Sequence, residues 1–348
     1  MKYALPKTLW IDLIDSCNNN CIWCYVKDSV NNAKGTEINI SFINNKIKIF
    51  KEIGIKNIIL IGGEPTLYSN LFRLIKLLGS HDMKISLVTN GRVFSDMNFA
   101  KNCIDLGLKN ITFSFHGFSE ENYYQNTKKK DVFKDVLLGF ENLTQMGYKP
   151  NANIVLSKLS FQYSSEIIAF INDTLKLKHI AFNVASPAVE YEKVDDSFVL
   201  SFEESAKHIV EIFNLSRKVG IKSTFQLNIP FCSFHKNDLK MLLNANAFIT
   251  GCHVRYGGGL VLKHNKSLAI CNHLLSYELI TENRINEVLD SKVSFERFWF
   301  SDLMSDIRKK LNFYPYKKCS SCEYWNNCGG GCLVNYSSKK MLNYGKVN

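Results

Sequence analysis

From Thr8 to Asn183, short apolar runs alternate with longer segments in which apolar residues recur every three or four positions. The runs at 9–14, 57–61, 84–89, 110–115, 151–156 and 179–184 are rich in β-branched and aromatic residues. Most are apolar on both faces, as strands buried in a parallel sheet are. Between them the period is helical: Phe42, Ile43, Ile47, Phe50 and Ile53 follow Ser41, a suitable N-cap, and stop at Gly54. Phe133, Val136, Leu137, Phe140 and Leu143 repeat the pattern before Gly147. Six β–α units with right-handed crossovers predict an α/β fold, a partial (β/α)6 barrel of TIM-like type, with a doubly wound sheet as the alternative. A further helix is expected over 202–219. Beyond Thr224 the periodicity weakens. Gly257, Gly258 and Gly259 precede a hairpin that turns near His264–Lys266, and 315–332 is dense in Cys, Gly and Asn. The expected division is a barrel over 1–220 and a small, irregular, Cys-rich domain with a β-hairpin over 221–348.

At 348 residues and 46% hydrophobic, the chain can bury a large core, which excludes intrinsic disorder. No apolar run approaches the ~18 residues of a membrane helix, and no signal-peptide pattern precedes Cys17. A cytoplasmic protein without a membrane partner is the expectation. The net charge of +11 comes from scattered lysines, with Lys128, Lys129 and Lys130 the only tight run. A nucleic-acid partner is therefore not expected, although an acidic peptide would suit the charge.

The chain has eleven cysteines, and seven fall in two tight groups. Where thiols stay reduced, such clustering points to metal rather than disulfides. Cys17, Cys21 and Cys24 form a CxxxCxxC group on the loop after the first strand, where three thiolates can hold three corners of an iron–sulfur cubane. Zinc would require a fourth ligand nearby. Cys319, Cys322, Cys328 and Cys332 form CxxCx5CxxxC, a spacing that also suits a tetrahedral zinc site. Cys103 is expected in the core, and His81, His179, His208 and His273 in ordinary structural roles.

CxxxCxxC after the first strand, with Trp23 before the last Cys, resembles the signature of radical S-adenosylmethionine (SAM) enzymes. Gly62-Gly63-Glu64-Pro65 resembles the family's GGEP motif, whose backbone meets the methionyl amino group. Asn90, in Thr89-Asn90-Gly91, and Ser114 stand where the family places SAM contacts, and Asn153 is a further candidate. The run Ser114-Phe115-His116-Gly117 lacks the acidic residue that many members carry after this strand. The resemblance covers roughly residues 8–185. It implies a [4Fe–4S] cluster on Cys17, Cys21 and Cys24, reductive cleavage of SAM to methionine and a 5′-deoxyadenosyl radical, and hydrogen abstraction from a substrate. It also implies an external electron donor such as flavodoxin or ferredoxin.

The C-terminal array, with Cys252 and Cys271 flanking the hairpin, resembles the SPASM extension of radical SAM enzymes. That resemblance implies one or two auxiliary iron–sulfur clusters. One would use Cys252, Cys271 and Cys332, with Cys232 as a candidate fourth ligand. The other would use Cys319, Cys322 and Cys328, which in the family are joined by a later Cys that this sequence does not contain. The family's glycine before the second hairpin Cys is Lys266 here, so Asn265 is expected to supply the positive φ. Enzymes with this extension mostly modify peptides and proteins, so hydrogen abstraction from a peptide side chain or α-carbon is the expected function. The sequence leaves no room for a recognition domain before the barrel, so a leader would bind elsewhere or on a partner. A small-molecule dehydrogenase or cofactor-maturation enzyme is the runner-up, followed by an RNA-modifying enzyme and a non-catalytic metal scaffold. His116, Tyr25 and Glu190 are candidate groups near the barrel mouth; no general acid or base is assigned.

Overall fold

The computed structural model describes residues 3–190, 193–250, 252–255 and 258–336. The six expected strands form as β1 (Thr8–Asp12), β2 (Asn57–Ile61), β3 (Lys84–Thr89), β4 (Asn110–Phe115), β5 (Asn151–Leu156) and β6 (His179–Val184). They pair in parallel in sequential order, which gives the partial α/β barrel. Leu9, Ile11, Ile58, Leu60, Leu87, Ile111, Phe113 and Phe182 are fully buried among them. The first strand ends earlier than its apolar run, because residues 14–16 meet the loop after β2: Ile14 O accepts from Gly63 N–H at 2.7 Å and Ser16 O from Glu64 N–H at 2.9 Å.

A short antiparallel pair, β7 (Ala188–Glu190) and β8 (Lys193–Asp195), stands outside the main sheet. Beyond the helix Phe202–Lys218, the sheet continues on both edges. On one side, β9 (Lys222–Gln226) pairs in parallel with β6 and carries β10 (Phe248–Ile249). On the other, β11 (Val261–Leu262) pairs in parallel with β1 and is followed by antiparallel β12 (Leu268–Ala269) and β13 (Glu278–Ile280). One eleven-stranded sheet therefore runs through residue 220. One hydrophobic core likewise joins the barrel to Phe295 and Trp299, and the Trp299 indole donates to Ala4 O at 3.0 Å.

Local details depart from expectation for identifiable reasons. The helix Ile40–Ile53 is capped by Asn39, whose side chain accepts from the Ser41 and Phe42 N–H groups at 2.8 and 3.3 Å. The helix Phe202–Lys218 starts in a capping box formed by Ser201 and Glu204. In the hairpin turn Lys266 itself takes positive φ, at 66°. The Asn265 side chain is used instead as an acceptor for the Ser267 N–H and hydroxyl. Among the described residues no helix is long and apolar enough to cross a membrane.

Candidate active site

The loop after β1 is held from outside at the residues between its cysteines. Asn18 O accepts from Arg92 Nη1 at 2.6 Å, and Asn18 Oδ1 accepts from Asn90 Nδ2 at 2.6 Å. Asn19 donates to the Tyr123 hydroxyl at 3.2 Å, and Asn20 and Ile22 donate to Thr127 O and Asn126 O. A loop with this many fixed partners is pre-organised before any cofactor arrives. Asn90, expected at SAM, has a side chain that lines the cavity described below but is spent on this bracing, with its Oδ1 accepting from Arg92 N. Arg92, Asn18, Asn19 and Tyr123 carry no sequence signal, since each is a single polar residue on a loop or short helix.

Gly62 and Gly63 lie directly against this loop. Gly63 N–H donates to Ile14 O at 2.7 Å, and Glu64 N–H donates to Ser16 O at 2.9 Å. A Cβ on Gly62 would stand 2.8 Å from Ile14 O, and one on Gly63 only 2.2 Å from Ser16 O. Only glycine permits that approach. The Glu64 carboxylate is buried and accepts from Thr66 N (3.0 Å), Thr66 Oγ1 (2.7 Å), Thr89 Oγ1 (2.6 Å) and Asn90 N (2.8 Å). Burial raises its pKa and these four donors oppose the rise. Glu64 thus ties the second loop to the end of β3.

Burial pushes the Cys17 thiol up to about 12 and the Cys24 thiol to about 11, and raises Cys21 as well. The charges of Cys17 and Cys24 add to the rise at Cys21, so the three sulfurs share one electrostatic environment. Gathering three thiolates there requires a cation, and loading one expels the thiol protons. Among the described residues, no three Cys, His, Asp or Glu side chains are gathered tightly enough for a single metal ion. A cubane fits the donor set better, because each thiolate then binds its own iron.

A cavity of about 700 Å³ opens at the C-terminal ends of the strands. Cys17, Cys21 and Cys24 line one part of it, and Cys252, Cys271 and Cys332 another. Trp23, Gly62, Gly63, Glu64, Asn90, Ser114 and Asn153 all border it. Pro65 does not, and instead starts the 3₁₀ turn Pro65–Leu67, in which Pro65 and Thr66 are buried. Burial lowers His116 and His273 to about 4, so both rings are neutral near pH 7, and the Nδ1 of each lacks a partner among the described residues. His273, expected to be merely structural, lines the cavity and stacks on Tyr25 at 4.7 Å. Its proximity follows from hairpin pairing, which spacing does not reveal. Glu190 is no free acid: its carboxylate accepts from Asp28 N, Ser29 N and the Ser29 hydroxyl at 2.5, 3.0 and 2.5 Å.

The C-terminal cysteines separate into two neighbourhoods. Burial pushes Cys332 up to about 11 and raises Cys271; Cys252 adds to both shifts, and Cys332 to that of Cys271. Cys232, expected beside this trio, lies instead at Cys328, whose sulfur accepts from Phe231 N–H at 3.2 Å. Gly329, Gly330 and Gly331 all take positive φ (55°, 75° and 81°), a run of left-handed residues that only glycines sustain. They fold the array onto the segment after β9, where Cys332 N–H donates to Asn228 O at 2.8 Å. Arg255 is buried against both groups, stacked on Phe313 and Trp325, with Nε and Nη2 unpartnered among the described residues. Cys103 is fully buried in the helix Met97–Asp105, away from both groups. Cys103→Ala is expected to leave iron content unchanged and to cost about 1 kcal/mol in denaturant unfolding.

Residues 11–171 match the profile of the Radical SAM superfamily. A probable GTP 3′,8-cyclase of Metallosphaera sedula is 27% identical over 173 residues, 49% of this chain and 53% of that protein. The corresponding Pyrococcus abyssi protein is 27% identical over 158 residues, 45% of this chain and 50% of its own. The chain thus spans about half the length of these curated relatives. Among solved structures, anSMEcpe with bound AdoMet and Cp18Cys peptide superposes with a TM-score of 0.73 at 19% identity, covering 96% of this chain and 91% of that one. Streptococcus suis SuiB bound to S-adenosylmethionine gives 0.71 at 16% identity, covering 97% and 75%. These likenesses show a shared fold that extends through the Cys-rich region.

Proposed function

We propose that this chain, which carries a radical SAM domain, abstracts hydrogen from a side chain or α-carbon of a peptide or protein. When bound, a [4Fe–4S] cluster on Cys17, Cys21 and Cys24 supplies the electron that cleaves SAM to methionine and a 5′-deoxyadenosyl radical. The backbone at Gly62 and Gly63, with Ser114 and Asn153, binds SAM, and Trp23 flanks it. Asn18, Asn90 and Arg92 hold the cysteine loop in place. The enclosing cavity excludes water from the radical.

The observation that carries the peptide reading is the composition of the cavity wall. Amides are the most numerous of its polar side chains, among them Asn153, Asn183, Gln226 and Asn272. An amide donates and accepts, as a peptide backbone does. Among the described lining residues Lys27 is the only Lys or Arg, and neutral His116 and His273 add no positive charge. A nucleoside triphosphate would meet little cationic recognition there. The peptide-bound structural relatives, anSMEcpe with Cp18Cys peptide and SuiB with its precursor SuiA, support the same reading.

Cofactor biosynthesis of the GTP-cyclase type is the second reading, favoured by the sequence relatives. The test is an anaerobic assay of reconstituted protein with SAM and dithionite. Reductant-dependent 5′-deoxyadenosine is expected from wild type and none from the Cys17/Cys21/Cys24→Ala variant. Equal yields from both proteins would overturn the radical assignment. GTP is expected to leave the rate unchanged; a GTP-dependent acceleration, with hydrogen transfer from the nucleotide, would replace the peptide reading.

A further inference from the structure

The two cysteine neighbourhoods differ in how they meet the rest of the molecule. Cys252, Cys271 and Cys332 line the cavity and Cys328 reaches it as well, whereas Cys232 and Cys322 are exposed and Cys319 is buried. The segment after β9 threads between the two. Asn228 O accepts from Cys332 N–H at 2.8 Å and from Asn335 Nδ2 at 2.6 Å, which fixes the inner edge of the array. Three residues on, Phe231 N–H reaches the Cys328 sulfur and the Phe231 ring packs on Tyr324 at 5.8 Å. Cys232 follows immediately, in the 3₁₀ turn Phe231–Ser233.

The rest of the outer group is local. Cys319 and Cys322 bracket one tight turn, with Cys322 N–H directed at Cys319 O at 3.4 Å, and Trp325 N–H donates to Cys322 O at 3.0 Å. That bond leads into the short helix Trp325–Cys328. We propose that Cys232, Cys319, Cys322 and Cys328 form one four-thiolate site for an auxiliary [4Fe–4S] cluster between the cavity wall and the protein surface. The inner trio of Cys252, Cys271 and Cys332 forms a separate site on the cavity wall. The assignment rests on reading the array as iron–sulfur ligands. It places the fourth ligand of the outer cluster before the hairpin rather than after the array. Four thiolates are the full complement of a cubane, so this site offers no open iron and suits electron transfer between the exposed face, at Cys232 and Cys322, and the cavity.

The test is alkylation mapping of the full chain, before and after anaerobic loading verified by iron and sulfide content. Exposed Cys232 is expected to react in the unloaded protein and to be protected at least tenfold in the loaded one, together with Cys322. Equal reactivity in both states would overturn its role as a ligand. In loaded Cys328→Ser, Cys232 is expected to regain reactivity while Cys252 and Cys271 stay protected. Protection of Cys232 that survives Cys328→Ser and is lost in Cys252→Ser would assign it to the inner trio and overturn the proposal. Neither readout needs SAM or turnover. Failure of the deoxyadenosine assay with Cys232 protected would remove the proposed activity and leave this site standing.

Discussion

Gly63→Ala is expected to lower reductant-dependent 5′-deoxyadenosine formation by about 100-fold, the scale on which ångström misplacement of reacting groups acts. The new Cβ would sit 2.2 Å from Ser16 O, 2.5 Å from Ser16 C and 2.9 Å from Asp15 O. All three are backbone atoms, so no side-chain rotation relieves the clash. The chain just before Cys17 must move, and the Gly63–Ile14 and Glu64–Ser16 hydrogen bonds move with it. Iron bound at Cys17, Cys21 and Cys24 and SAM retention are expected to fall together, while iron in the C-terminal sites stays. Gly79→Ala is the control, because its nearest neighbour is 4.0 Å away in the helix Leu71–Ser80. Full activity in Gly63→Ala, beside an equally active control, would show that the two loops are not coupled as described.

Glu64→Ala is expected to destabilise the protein by about 4 kcal/mol, read as a shift in denaturant midpoint at unchanged slope. The loss leaves the Thr66 and Asn90 N–H groups and the hydroxyls of Thr66 and Thr89 without their acceptor in a buried site. Glu64→Gln does not rescue it: Oε1 takes three of these donors and Oε2 takes Asn90 N–H. An amide nitrogen at either position therefore sets donor against donor. A loss below about 1 kcal/mol in both variants would mean that Glu64 is not the tie between β2 and β3. Because burial raises the carboxyl above its unfolded pKa, its ionisation in the folded state opposes stability. That contribution eases as pH falls through the raised folded value and is fully relieved below the unfolded value near 4.

The strands β2 to β6 were legible because each is a compact run rich in β-branched and aromatic residues, most of them apolar on both faces, and each is separated from the next by helical segments. The added strands were not. Lys222–Gln226 contains one strongly apolar residue, Phe225, and becomes a strand because β6 offers it an edge. Two-residue strands such as Val261–Leu262 have no period to read. The same division holds at the site. Cysteine spacing marked the metal groups, and the paired glycines marked the close approach of the second loop to the first. Which cysteines share a neighbourhood was not readable for Cys232, because it sits 87 positions before Cys319 and meets the array only through Phe231. Lys266 rather than Asn265 takes the left-handed turn position because the asparagine amide is more useful as a bridge between Ser267 and Glu278.

The pairing of β1 with β11 carries a consequence for how the chain is made. Trp10 registers with Val261 and Ile11 with Leu262, about 250 positions apart. At a synthesis rate of about 5–20 residues per second, β1 waits about 12–50 s with one bare edge before its partner leaves the ribosome. Unpaired edges invite foreign strands. Contacts this distant also slow folding. Throughout that interval Cys17, Cys21 and Cys24 follow a strand with one unpaired edge, while the cysteines from Cys271 onward have not yet emerged. Assembly therefore has a built-in order, in which the cavity closes, and its two facing cysteine groups meet, only after Cys332 has emerged.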